Sequence, residues 1–124
     1  MPETVLVTGG SGFLGRHVVE RAREKGYNVL APRSAEFNLE TGAGVAQYME
    51  EARRYYGSID VIIHSAAYYG GIGINKKEPA TIFYKNIQMA LNVFEAAKAH
   101  GVQKVLPIGS ACAYPGKLTG DLKE

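Results

Sequence analysis

Thr8-Gly9-Gly10-Ser11-Gly12-Phe13-Leu14-Gly15 is the most informative stretch of the chain. It satisfies Gly-x-Gly-x-x-Gly from Gly10 and Gly-x-x-Gly-x-x-Gly from Gly9. Spacing alone is a weak signal, since an ordinary glycine-rich turn capped by Ser11 would share it. The flanks give it weight. Before it runs Thr4-Val5-Leu6-Val7-Thr8, a compact β-branched strand candidate. After it, residues 12–25 place Phe13, Leu14, Val18 and Ala22 on one helical stripe that ends before Gly26. Strand, glycine turn and helix in this order form the setting that a dinucleotide requires. One glycine makes the tight turn, a second admits the backbone to a pyrophosphate, and a third lets helix and strand pack closely. The free N–H groups and positive end of the helix then face the diphosphate. Gly9, Gly10, Ser11, Gly12, Phe13, Leu14 and Gly15 are therefore the first candidate cofactor-binding residues.

The pattern continues outward as short apolar runs alternating with amphipathic stretches. Asn28-Val29-Leu30-Ala31 reads as a second strand closed by Pro32, and Phe37-Asn38-Leu39 as a short third one. Residues 43–56 read as a helix through Val45, Tyr48, Met49 and Ala52. Ile59-Asp60-Val61-Ile62-Ile63 reads as a buried strand, followed by the glycine-rich loop Gly70-Gly71-Ile72-Gly73. The clearest helix covers 79–100, with Phe83, Ile87, Ala90, Phe94 and Ala97 on one face and Gly101 ending it. Lys104-Val105-Leu106-Pro107-Ile108 is the last strand, although Pro107 cannot donate into a ladder and belongs at an edge. Continuously apolar strands separated by amphipathic helices predict an α/β fold: about five parallel strands with helices on both faces. The link from Ala31 to Phe37 is too short for a helical crossover.

Composition narrows the class. The 124 residues suit one domain, here 1–124. Fourteen Lys and Arg against twelve Asp and Glu leave a formal charge of +2. No basic run accompanies it, which argues against nucleic acid as a partner. No apolar stretch approaches the roughly 20 residues of a membrane helix. The one cysteine, Cys112, has no partner for an internal disulfide, which fits a reducing, cytoplasmic setting. No cluster of His, Cys and carboxylates has the spacing of a metal site.

The choice of dinucleotide turns on the end of the second strand. A carboxylate there would bond the ribose 2′-hydroxyl of NAD. This chain instead has Ala31-Pro32-Arg33-Ser34, and a cation with a hydroxyl suits the 2′-phosphate of NADP. Arg33 is otherwise a solvated loop cation, and Glu36 stands close by. The reading favours NADP.

Together with Phe37-Asn38-Leu39, Ala66-Ala67, Gly70-Gly71-Ile72 and Gly109-Ser110-Ala111-Cys112-Ala113-Tyr114-Pro115, the glycine stretch resembles the extended short-chain dehydrogenase/reductases, the NAD-dependent epimerase/dehydratase family. Within them it is most similar to the GDP-L-fucose synthase group, along nearly the whole chain. The resemblance implies a Rossmann-type NAD(P)-binding domain and an enzyme that epimerises GDP-4-keto-6-deoxy-D-mannose, then reduces its C4 ketone with NADPH. It assigns Ser110 to the C4 carbonyl oxygen, where negative charge develops. Taken alone, Ser110 reads as a serine closing a strand. The resemblance assigns Cys112 as an acid/base group in epimerisation, a role that needs hydrogen-bond reach to the proton. On an extended segment Cys112 would point to the same side as Ser110. Asn38 and Leu39 match the adenine-contacting segment, and Ala66 and Ala67 the small residues beside the cofactor. Packing explains both pairs as well. The resemblance also raises a homodimer and a nucleotide-sugar substrate as partners. His64 reads as structural, and His17 and His100 as helix-surface residues. Tyr68 and Tyr69 read as cleft lining or as packing.

One expected element is missing. The family uses a Tyr-x-x-x-Lys helix, in which tyrosine protonates the carbonyl and lysine lowers its pKa. None of Tyr27, Tyr48, Tyr55, Tyr56, Tyr68, Tyr69, Tyr84 and Tyr114 has lysine four residues later. With the sequence ending in the polar stretch Leu122-Lys123-Glu124, the expectation is a domain incomplete at its C-terminus. A nucleotide-sugar 4-epimerase or 4,6-dehydratase, or a non-catalytic dinucleotide-binding module, are the alternatives.

Overall fold

Leu6 lies in the middle of β1 (Thr4–Thr8) with no solvent exposure, and the rest of the chain is arranged around that strand. The structure is a computed structural model that describes residues 2–117 and 120; Leu122-Lys123-Glu124 lie outside the described residues. The elements that follow are α1 (Phe13–Glu24), β2 (Asn28–Leu30), α2 (Gly42–Tyr56), β3 (Val61–His64), α3 (Ile72–Lys77), α4 (Pro79–Ala99) and β4 (Lys104–Pro107). Among the described residues a 3-10 turn at Ala111–Ala113 comes last.

The strands form one parallel sheet in the order β2-β1-β3-β4. Alternation along β1 assigns its two faces. Val5 and Val7 pack with Val19 of α1 on one side. Leu6 turns to the other side, into the larger core that α2 supplies with Val45, Met49 and Ala52 and α4 with Met89, Val93, Ala96 and Ala97. Helices on both faces of a parallel sheet agree with the sequence reading.

The third expected strand does not form, so the described residues hold four strands rather than about five. Phe37 and Leu39 are buried while Asn38 and Glu40 are exposed, which is the alternation that imitates a strand. No ladder partner reaches them. Glu36 N–H and Phe37 N–H both donate to the Arg33 carbonyl at 2.9 Å, and Glu40 N–H donates to Asn38 Oδ1 at 3.0 Å. Local turns thus satisfy the backbone that a sheet would have paired.

Two helical stripes also differ from expectation. Phe13 and Leu14 are 73% and 47% exposed, and α1 buries Gly15 and Val19 along with the expected Ala22. In α4, Phe83, Ile87 and Phe94 face outward, and Met89, Val93 and Ala96 join the expected Ala97 on the buried face. An apolar residue at nearly every turn fits two stripes, and periodicity does not choose between them. Pro79 opens α4, where its missing N–H costs nothing. Gly101 closes it with φ +68°, while Val102 N–H donates to the Ala97 carbonyl at 2.9 Å. Pro107 fits its place in β4. Ile108 N–H donates to the His64 carbonyl at 3.0 Å, so alternation turns the Pro107 nitrogen to the outer edge. His100 is not a surface residue: its side chain is 11% exposed, with Nδ1 3.7 Å from Glu50 Oε1 across the α2–α4 contact. His17 is exposed, as expected.

Candidate functional site

A cavity of about 520 Å³ opens at the C-terminal ends of β1 and β3. Its size and place are those of a ligand site in an open α/β sheet. Three stretches far apart in sequence make the walls: Thr8–Gly15 without Gly10, Pro32–Glu40 in part, and Ser65–Tyr69, with Lys85 and Met89 added from α4.

The glycine turn has the geometry that a diphosphate requires. Gly9 has φ +66°, a left-handed conformation, and a Cβ there would lie 2.7 Å from Ala66 Cα. Gly10 stands behind the wall, where a Cβ would press on Ala31 Cβ at 2.9 Å and Val19 at 3.1 Å. A Cβ on Gly15 would run into the Gly9 carbonyl, so the first turn of α1 is packed directly against the glycine turn. Gly12 N–H closes the turn onto the Gly9 carbonyl at 3.0 Å. Gly12 is also the N-cap of α1, with no side-chain cap and no carboxylate in the first turn. Ser11 therefore does not cap the helix, unlike in the plain-turn reading. The amides and positive end of α1 are left to face the cavity that Gly12 to Gly15 line. These residues fit the dinucleotide that the motif implies.

The second wall is pinned to the first by a buried polar group that the spacing did not reveal. Thr8 Oγ1 and His64 Nδ1 lie 2.7 Å apart. Ala66 N–H donates to the same Thr8 oxygen at 3.2 Å, and Ser65 Oγ–H donates to the Thr8 carbonyl at 2.6 Å. Burial lowers the His64 pKa below its ordinary 6.5, so the ring is neutral where it bonds Thr8. His64 is structural, as read, and it holds the Ala66–Ala67 loop against Gly9.

From the other side, α4 holds both loops. Tyr68 N–H donates to Asn86 Oδ1 at 2.7 Å and Asn86 Nδ2 donates back to the Tyr68 carbonyl at 2.8 Å. Asn92 Nδ2 donates to the Leu39 carbonyl at 2.9 Å. Tyr68 and Tyr69 both line the cavity, and Phe37, beneath it, stacks on Tyr48 at 4.5 Å.

The expected residues are therefore brought together in part. Gly9, Ser11, Gly12, Phe13, Leu14, Gly15, Asn38, Leu39, Ala66 and Ala67 line one cavity. Arg33 does not; it is exposed in the turn beside Ser34, which does line it. Ser110 and Cys112 are exposed and lie outside the cavity wall. The segment holding them is not extended. Cys112 N–H donates to Ser110 Oγ at 3.2 Å and Ala113 N–H to the Ser110 carbonyl at 3.1 Å, so Ser110 caps a 3-10 turn. Two residues apart in such a turn do not share a side, which corrects the expected alignment. Glu40, Ser65, Lys85 and Met89 line the cavity without having been expected. Lys85 and Met89 reach it only because α4 packs against the sheet, a contact no local motif announces. Among the described residues no group of three or more His, Cys, Asp or Glu is placed to hold a metal, and no helix is long and apolar enough to cross a membrane.

The chain belongs to the NAD dependent epimerase/dehydratase family, which it matches over residues 5–123. It is 35% identical to a GDP-L-fucose synthase of Azorhizobium caulinodans across 97% of this chain and 37% of the relative. It is 31% identical to a GDP-L-colitose synthase of Yersinia pseudotuberculosis over the same shares of each. A dTDP-4-dehydrorhamnose reductase from Bacillus anthracis, solved in complex with NADP, superposes with a TM-score of 0.71 at 27% identity, over 84% of this chain and 35% of that one. The chain thus spans about a third of the length of these relatives.

Proposed function

We propose that this chain is the dinucleotide-binding part of an NADPH-dependent nucleotide-sugar epimerase/reductase acting in the cytoplasm on GDP-4-keto-6-deoxy-D-mannose to make GDP-L-fucose. The observation that carries the reading is the uncapped N-terminus of α1, aimed through a left-handed Gly9 turn into the cavity. Relatives named for GDP-sugar chemistry support the substrate class, and the NADP-bound reductase supports the cofactor.

In this reading the amides of Phe13 to Gly15 hold the diphosphate, and Asn38 offers its Nδ2 to the base, since Oδ1 already takes Glu40 N–H. Ala66 and Ala67 leave room for the ribose. Arg33 and Ser34 meet the 2′-phosphate, with the guanidinium swinging in from solvent. The bound nicotinamide supplies hydride to a sugar ketone. Ser110 hydrogen-bonds the ketone oxygen and Cys112 moves the proton beside it, once their turn is brought over the cavity. The Tyr-x-x-x-Lys pair, whose tyrosine protonates the carbonyl oxygen as hydride arrives, is not among these 124 residues, so this chain alone turns over no sugar.

A fluorescence titration of the chain with NADPH and NADH tests this. NADPH is expected to saturate with an affinity about tenfold above NADH, and Arg33→Ala to remove most of the difference. A folded chain that binds neither would overturn the cofactor reading. Turnover of GDP-4-keto-6-deoxy-D-mannose by the chain alone would overturn the expected inactivity.

A further inference from the structure

Every charged side chain lining the cavity belongs to one pair, Glu40 and Lys85. Glu40 follows Leu39 on the loop after β2, and Lys85 stands on α4. Lys85 Nζ lies 3.4 Å from Glu40 Oε1 and 4.5 Å from the centroid of the Tyr68 ring, on the loop after β3. Its neighbours on α4 each serve one loop, Asn86 the backbone of Tyr68 and Asn92 the carbonyl of Leu39. Lys85 is the polar side chain of α4 whose described contacts reach both. The Lys85 side chain is 34% exposed and that of Glu40 47%, so the pair is partly shielded and its attraction is screened less than on an open surface.

We propose that Lys85 is a positioning residue for dinucleotide binding. Its ammonium, held between the Glu40 carboxylate and the Tyr68 ring, sets the spacing of the two loop walls between which the adenosine half lies. This rests on the reading of the cavity as a dinucleotide site. Lysine suits the task because its point charge serves a carboxylate and a π face from different directions at once. Both walls are loops, whose backbones lack the sheet's own hydrogen bonds, so a cross-brace fixes what the strands do not. Ordering the walls before the ligand arrives reduces the ordering cost of binding.

The test is a titration of the wild-type chain, Lys85→Met and Lys85→Arg with NADPH and with adenosine 2′,5′-bisphosphate, alongside thermal melts. Lys85→Met keeps the helical stem but loses the charge. It is expected to weaken both ligands by about five- to tenfold, with a melting temperature close to wild type. Lys85→Arg retains a cation for both partners and is expected to recover most of the affinity. If wild type binds both ligands and Lys85→Met binds them equally well, the brace is refuted while the site stands. The brace is also refuted if the loss of affinity only tracks a loss of fold. If wild type binds neither ligand, both the site and the brace fall.

Discussion

His64 and Thr8 illustrate how single residues set this site. The ring and the hydroxyl meet at 2.7 Å at adjoining strand ends, and Ala66 hangs on the same oxygen. Because burial lowers the His64 pKa in the folded chain, the unfolded chain binds more protons just below the ordinary value of 6.5. Stability from this group is therefore complete above pH 6.5 and is lost as the pH falls from there through the lowered folded value. Urea unfolding between pH 5 and pH 8 checks the sign: the midpoint is expected to fall toward acid, and His64→Asn, which keeps a δ-nitrogen or oxygen but does not titrate, to flatten that slope. A midpoint that rises toward acid would contradict it. The glycine positions were legible in the sequence because φ +66° favours glycine and the near approach of Ala66 leaves no room for a Cβ. The His64 bond was not, since it joins residues 56 apart with no spacing rule between them.

Elements place these residues. The loop from Arg33 to Glu40 ends at Thr41, whose Oγ1 accepts from Gly44 N–H at 3.0 Å and caps α2. That cap starts α2 immediately after the Asn38–Leu39 wall. Thr41→Ala is expected to cost about 1 kcal/mol of stability, read from urea unfolding. A change within a few tenths of a kcal/mol would show that α2 is held by its buried Val45, Met49 and Ala52 alone. Strands β1, β2, β3 and β4 and helices α1, α2 and α4 could be read from local pattern because each carries a long enough apolar signal. Phe37-Asn38-Leu39 misled for a definite reason. Alternation records which side chains are buried, and here the cover is the α2–α4 core rather than a neighbouring strand. In α4 the exposed Phe83, Ile87 and Phe94 outcompeted the true face in the sequence, because the buried positions besides Ala97 are filled by the less conspicuous Met89, Val93 and Ala96.

The whole molecule joins stretches that the sequence keeps far apart. Residues near 10, 37 and 66 become the walls of one cavity because β1 lies between β2 and β3, and strand ends in a parallel sheet face the same way. That convergence was legible from the fold class. The part that α4 adds was not, because it depends on which face of a doubly apolar helix meets the sheet. If α1 presents its N-terminal amides to a dinucleotide diphosphate, bound ligand must protect them. Amide hydrogen exchange of the chain with and without saturating NADPH measures this directly. Slowed exchange is expected over residues 11–15 and 65–69, with smaller effects at 33–40 and no change in α3. Exchange unaltered at 11–15 in the presence of bound NADPH would contradict it.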